Sequence, residues 1–204
     1  EHDVLDLACT TATLDALSGG RLRLGVGVGW NEEELANHRP DLPFKLRYSA
    51  MEERVAALRT AWKDDEASFE GRWDNFSASW VYPKPIDGTV PVALGNAGPL
   101  GIEHAARYAD EWCPIDASML NIGGRPDPAG AIDLFRSKAA EAGRPAEDIP
   151  ISIFSMSNRR DRIERYGELG ADRVVFMPKT MELHDADATL RHLDELADMV
   201  TDLA

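Results

Sequence analysis

Three glycines at alternate positions, Gly25, Gly27 and Gly29, close a short apolar run and lead into Trp30 and Asn31. Glycine at a strand end leaves the backbone bare, so a flat ring or a neighbouring strand can come close; both uses stay open here. The spacing is not the dinucleotide fingerprint, because the last glycine of G-x-G-x-x-G would fall at position 30, where Trp stands. Trp30 could wall a planar cofactor, but we expect it in the core. Asn31 reads as the cap of a helix whose Glu34 can reach back to it, a capping box with acids at the positive end of the dipole. Its place at the carboxyl end of a strand also allows it to bond a ligand. A second bare turn, Gly95-Asn96-Ala97-Gly98-Pro99, follows the run Val90 to Leu94. There the amides of a glycine-rich turn that opens a helix would present free N–H groups and a positive dipole end to an anion.

Other chemistries find little support. The five histidines, His2, His38, His104, His184 and His192, show no H-E-x-x-H and no close pairing, so no metal site is expected. His2 would fall on the active-site side if a strand ended just before it, but we read it as a mobile terminal histidine. Neither a G-x-S-x-G elbow nor a P-loop occurs. Cys9 and Cys113 are far apart, which argues for a reducing, cytoplasmic setting without disulfides. The 204 residues are 44% apolar and carry a net charge of −14. That describes a globular chain whose field repels nucleic acid and anionic membranes, so an anionic ligand needs a local backbone site. No signal peptide or membrane span is seen.

The elements that must hold the two turns follow from periodicity. Val4, Leu7, Ala8, Thr11, Leu14 and Leu17 mark the apolar face of a first helix that stops at Gly19-Gly20. Leu22 to Val28 reads as a strand, 36–48 as a loop, and Met51, Val55, Leu58 and Trp62 as one face of a long helix. The aromatic stretch from Ser68 to Tyr82 reads as an extended excursion or small hairpin that covers one end of the fold rather than a lid. Strands are expected over Val90–Leu94, Glu111–Ile115, Ile149–Met156 and Arg173–Met177, the last stopped by Pro178, with Glu111 and Trp112 in packing and surface roles. A loop over Asn121–Asp127 and helices near Ile102, Ile132, Arg162 and Leu190 to Val200 complete the pattern.

Strands alternating with helices define an α/β fold with a parallel sheet. An open doubly wound sheet and a barrel both fit, yet the chain opens on a helix with no strand before it. We expect a (β/α)8 TIM barrel of which about five βα units are present in one domain over 1–204, with about three units missing upstream.

Several phrases in order resemble the luciferase-like monooxygenases, and among them the deazaflavin (coenzyme F420)-dependent oxidoreductases. They are Ala12-Thr13-Leu14-Asp15-Ala16-Leu17-Ser18-Gly19-Gly20-Arg21-Leu22, Leu24 to Glu34, Tyr82-Pro83-Lys84-Pro85, Gly95-Asn96, Ala105 to Trp112, and Gly170-Ala171-Asp172-Arg173-Val174-Val175. The chain departs from the family's usual residues at Cys9, at Glu111 and at Leu94 before Gly95. The resemblance implies a barrel of the luciferase-like type with its cofactor over the carboxyl ends of the strands. It places the phosphate around Gly95, Asn96, Ala97 and Gly98, and lets Gly27, Gly29, Trp30 and Asn31 face the ring.

By that resemblance the chain is expected to transfer a hydride between coenzyme F420 and a small organic substrate. An FMN-dependent monooxygenase fed by a flavin reductase is the alternative, and a non-catalytic truncated barrel acting as a binding module is another. A homodimer would suit either enzyme. No catalytic acid or base is assigned, since the family often carries one on the strands absent here.

Overall fold

The structure, a computed structural model, describes residues 2–116, 127–177 and 185–201. Most of the expected loop over Asn121–Asp127 lies outside the described residues, as do Pro178 and His184. The chain divides into two units, Glu1–Gly95 with Arg107–Glu111, and Asn96–Ala106 with Trp112–Ala204.

The first unit opens on α1 (Val4–Ser18), whose start is fixed by Asp3: its carboxylate accepts from the amides of Leu5 and Asp6 at 2.9 and 3.2 Å. Gly19 ends it in the left-handed conformation at φ 69°, which a side chain would resist. The buried face of α1 is Val4, Ala8, Thr11, Ala12 and Asp15, so Leu14 and Leu17, expected inside, are exposed. Asp15 is tolerated in the interior because its carboxylate accepts from the Ile86 amide at 3.0 Å. The helix packs on α3 (Arg47–Lys63), where Val55, Leu58 and Trp62 are buried as their spacing predicts and the Trp62 indole donates to the Ala8 carbonyl at 3.1 Å.

Between these helices run β1 (Leu24–Val26) and α2 (Glu32–His38). The stretch 36–48, expected as a loop, holds the end of α2, a single 3-10 turn at Phe44–Leu46 and the first residues of α3. The aromatic stretch forms the expected hairpin, β2 (Ala67–Glu70) antiparallel to β3 (Asn75–Ser79), with the Phe69 and Phe76 rings stacked at 6.2 Å. Its turn is held by α3. The Glu53 carboxylate accepts from the amides of Arg72, Trp73 and Asp74 at 3.0, 2.6 and 2.9 Å, and Arg54 grips Asp74 through two bonds of 3.1 and 2.6 Å. Burial works to raise the Glu53 pKa, and the three amide donors outweigh it, so the carboxyl titrates below its ordinary value.

β4 (Val92–Leu94) lies parallel to β1, with Leu24 opposite Val92 and Val26 opposite Leu94. α4 (Pro99–Tyr108) and β5 (Glu111–Trp112) carry the chain on into its second part. The Asp110 amide donates to the Val92 carbonyl at 2.8 Å, which sets β5 beside β4 in the order β1-β4-β5. Glu111, expected to pack or to face solvent, is 3% exposed and forms an ion pair with Arg23 at 2.8 Å.

In the second unit α5 (Pro128–Glu141) buries Ile132, Phe135 and Ala139. Trp112, itself fully buried, stacks on Phe135 with ring centres 4.7 Å apart. Parallel bridges join Trp112 to Ile151 and Ile115 to Phe154, and β6 (Ser152–Met156) pairs in parallel with β7 (Arg173–Phe176). α6 (Arg160–Glu168) stands between them, anchored by Arg162 and Tyr166, which donate to the buried Asp116 carboxylate at 2.7 and 2.8 Å. Burial first, and then that bond to Asp116, push the Tyr166 phenol up to about 12.

α7 (Ala186–Thr201) turns His192 and Leu196 inward and leaves Leu190 and Leu193 exposed, so of the stripe expected from the spacing of Leu190, Leu193, Leu196 and Val200, Leu196 is buried and the first two leucines are not. Among the described residues, then, five strands join parallel pairings and two form the hairpin. The α/β pattern of parallel strands and helices stands; a closed barrel is not part of what the described residues form.

Candidate functional site

The parallel register of β1 and β4 brings their carboxyl ends to the same edge, where the Gly95 amide donates to the Val26 carbonyl at 3.2 Å. Past that edge the chain is bare. A Cβ placed on Gly25, Gly27 or Gly29 would meet no atom within 4 Å, and Gly29 has φ +72°, a conformation a side chain resists. The glycines are therefore not filled by tight packing against a described strand. Asn31 is a cap, as expected, with its carbonyl oxygen accepting from Glu33 and Glu34 at 3.0 and 3.2 Å. The reciprocal arm of the capping box is not made; the Glu34 residue lines a cavity instead. Trp30 is 86% exposed and so belongs to no core, contrary to expectation.

The cavity, about 540 Å3, lies wholly in the first unit. Gly27, Gly29 and Asn31 face it from the strand end, Trp73 from the hairpin turn, His38 from α2, and His2 from just before α1. Its apolar walls come from β1, α1 and α3. The cations at its edge are already engaged: Arg54 with Asp74 and the His2 carbonyl, Arg39 with Asp41, and Arg47 with the Gly29 and Phe44 carbonyls. The Arg47 guanidinium also lies over the Phe44 ring at 3.8 Å. A ligand entering here meets apolar surface, bare backbone and the Glu34 residue rather than an unpaired arginine.

The second turn has a different character. The Asn96 carbonyl accepts from the Trp112 indole at 2.8 Å, Ala97 is buried, and the Gly98 carbonyl accepts from Ile102 at 2.9 Å to begin α4. Pro99 takes the first helical position, as predicted. The first-turn amides of such a helix have no partner within it, and space around Gly98 is open, so an anion can approach. The Asn96 side chain is shut away from water with neither Oδ1 nor Nδ2 bonded. An orphaned carboxamide beside a glycine-lined helix start fits the phosphate end of a cofactor.

Sequence reading singled out the strand-end glycines, Asn31 and the 95–98 turn. It missed Trp73 and the Glu53–Arg54 clamp that sets it; the available signal was an adjacent Glu-Arg pair on an apolar helix followed by a turn carrying Asp74. It also passed over Gly101, a glycine inside a helix, which generally marks a packing reason. Among the described residues there is no cluster of three or more metal-ligating side chains, Cys9 and Cys113 are not joined in a disulfide, and no helix is long and apolar enough to cross a membrane.

Parallel strands alternating with helices, with glycine-lined turns at the carboxyl ends of β1 and β4, define an α/β protein, a class whose ligands are generally met at the carboxyl ends of the strands. The sequence profile of the luciferase-like monooxygenase family matches residues 2–198, and the chain belongs to that family. An uncharacterized protein of Mycobacterium bovis is 34% identical over 195 residues, 95% of this chain and 65% of its own. An F420-dependent glucose-6-phosphate dehydrogenase of Nocardia farcinica is 32% identical over 146 residues, 70% of this chain and 42% of its own. The chain therefore spans less than two thirds of the length of these relatives. Among solved structures, an F420-dependent secondary alcohol dehydrogenase in complex with an F420-acetone adduct superposes with a TM-score of 0.61 at 21% identity, covering 98% of this chain and 67% of that one. A monooxygenase from Streptomyces bottropensis gives 0.59 at 21%, covering 99% and 63%.

Proposed function

We propose that the chain belongs to an oxidoreductase that uses coenzyme F420 to move a hydride to or from a small organic substrate. The observation that carries this reading is the 96–98 turn: open glycine backbone, a helix start, and a buried carboxamide with no partner. Its force comes from the family, whose relatives include F420-dependent dehydrogenases. With a net charge of −14 the chain offers an anion no general attraction, so affinity has to come from such a local backbone site.

The phosphate end of the cofactor is assigned to Gly95, Asn96, Ala97 and Gly98. The ring is assigned to Gly27, Gly29, Trp30 and Asn31, where bare backbone permits close approach and Asn31 fixes the following helix. When bound, a deazaflavin supplies the hydride donor or acceptor; the chain supplies position and fixed dipoles. We place the strands in a single (β/α)8 barrel domain of the luciferase-like type whose remaining strands lie outside this sequence. Two cysteines that are not joined in a disulfide, Cys9 and Cys113, suit the cytoplasm.

An FMN-dependent monooxygenase served by a flavin reductase is the second reading, supported by the monooxygenase among the structural neighbours. Titrating the purified chain with F420 and with FMN, and following cofactor absorbance and melting temperature, separates the two. Saturable stabilisation by one cofactor selects it; no response to either favours a binding module without a cofactor. Gly98→Val is expected to weaken the selected cofactor at least tenfold, the scale of a lost phosphate contact, while changing apo stability little. Equal losses in both would make the turn merely structural.

A further inference from the structure

We propose that the Asn96 side chain has two positions: parked against Gly101 in the ligand-free protein, and swung outward to donate to a cofactor's phosphate group. The inference rests on the nest reading above and adds a moving part to it.

The parked position is unusual. Both Oδ1 and Nδ2 of Asn96 are out of contact with water and bonded to nothing. Buried carboxamides are almost always paired, because leaving donor and acceptor unsatisfied is unfavourable. The group fits there only because residue 101 is glycine: a Cβ at Gly101 would lie 2.0 Å from Asn96 Oδ1, 2.3 Å from Cγ and 2.9 Å from Nδ2. Gly101 has no backbone reason to be glycine. It sits inside α4, outside the left-handed region, at a place where alanine would favour the helix. Its purpose is the room it leaves.

The backbone of Asn96, by contrast, is pinned. Its carbonyl accepts from the Trp112 indole at 2.8 Å, and Trp112 is buried and stacked on Phe135 at 4.7 Å. The peptide therefore stays while the side chain turns about its own bonds. Outward, Nδ2 can donate to a phosphate oxygen, a charge-assisted bond in place of none. The shared ligand chemistry is a phosphate ester, carried by F420 or by FMN, and titration with each tells which source the nest takes.

Gly101→Ala fills the parking space and leaves the carboxamide outside before any ligand arrives. Removing the inactive population should tighten cofactor binding about threefold or more, since apparent affinity scales with the competent fraction. Asn96→Ala should weaken binding, and adding Gly101→Ala to it should restore nothing. A readout without cofactor is the exchange of the Asn96 side-chain amide with water by NMR: slow in the wild type, fast in Gly101→Ala. A folded Gly101→Ala protein, by its melting curve, that binds no tighter would overturn the proposal. So would an Asn96 amide already exchanging freely in the ligand-free wild type. If the wild type binds neither F420 nor FMN, the cofactor reading fails and the outward position with it, while the exchange contrast still decides whether Asn96 is parked.

Discussion

The joint between β4 and β5 and the joint between β6 and β7 are built by one local rule. In the first, the Asp110 carboxylate accepts from the Val92 amide at 2.9 Å while the Asp110 amide donates to the Val92 carbonyl at 2.8 Å. In the second, Asp172 does the same to Ile151, at 2.8 and 2.9 Å. Each Asp follows an Ala at the entry to a strand and locks the start of the strand before it, so Ala109-Asp110 and Ala171-Asp172 are the same device used twice. At the other ends of the strands the resemblance stops. β4 runs out into Gly95-Asn96-Ala97-Gly98, whereas β6 ends in Met156 and Ser157 after Ser155, which takes a positive φ of 61°. The entries are alike because the same pair of bonds holds each strand start; the exits, the end at which parallel α/β folds generally meet their ligands, differ.

The comparison can be broken most visibly at Asp110, which also receives Arg59 at 2.8 Å and therefore leaves more unpaired when removed. Asp110→Ala is expected to lower unfolding free energy by about 2 kcal/mol in urea titration, the scale for losing a charged partner of several donors. Asp172→Ala, which strands the Ile151 amide and no cation for which an ion pair is described, should lose about 1 kcal/mol. Equal losses would mean that Arg59 adds nothing.

A third test concerns protons. Because the Glu53 carboxyl titrates below its ordinary value, its contribution to the hairpin is full at and above the ordinary glutamate range. It is lost only as pH falls through the lowered folded value. Amide exchange at Trp73, corrected for intrinsic rates, should therefore stay protected through mildly acid pH and rise in strong acid, with the rise absent in Glu53→Gln. The smallest effect is expected at Ser155. Gly there relieves the positive φ but loosens the unfolded chain, so Ser155→Gly should change stability by less than about 0.5 kcal/mol.

Which elements exist was legible, and so was their alternation. Their ends were not, and proline is the reason at three places. Pro91, Pro114 and Pro150 lack the N–H a ladder needs, so the runs expected as Val90–Leu94, Glu111–Ile115 and Ile149–Met156 shrink to Val92–Leu94, Glu111–Trp112 and Ser152–Met156. The helix faces were misjudged where hydrophobicity and burial part company. Asp15 and His192 sit inside while Leu14, Leu17, Leu190 and Leu193 do not, which no count of apolar residues can anticipate. Of the site, the backbone features could be read, because glycine spacing announces them. The clamp on Trp73 and the seat under Asn96 depend on partners 20 and 5 residues away, and appear only once the chain is folded.

The way the hairpin is fastened bears on the cavity. Most insertions of this kind are tied at their base and free at their far end, and so can flap. Here the far end is the part that is bolted, through the three amides closed on Glu53 and the fork of Arg54 on Asp74. Trp73 is thus a fixed wall of the hollow, and a ligand lying against it meets a surface that does not have to be ordered first.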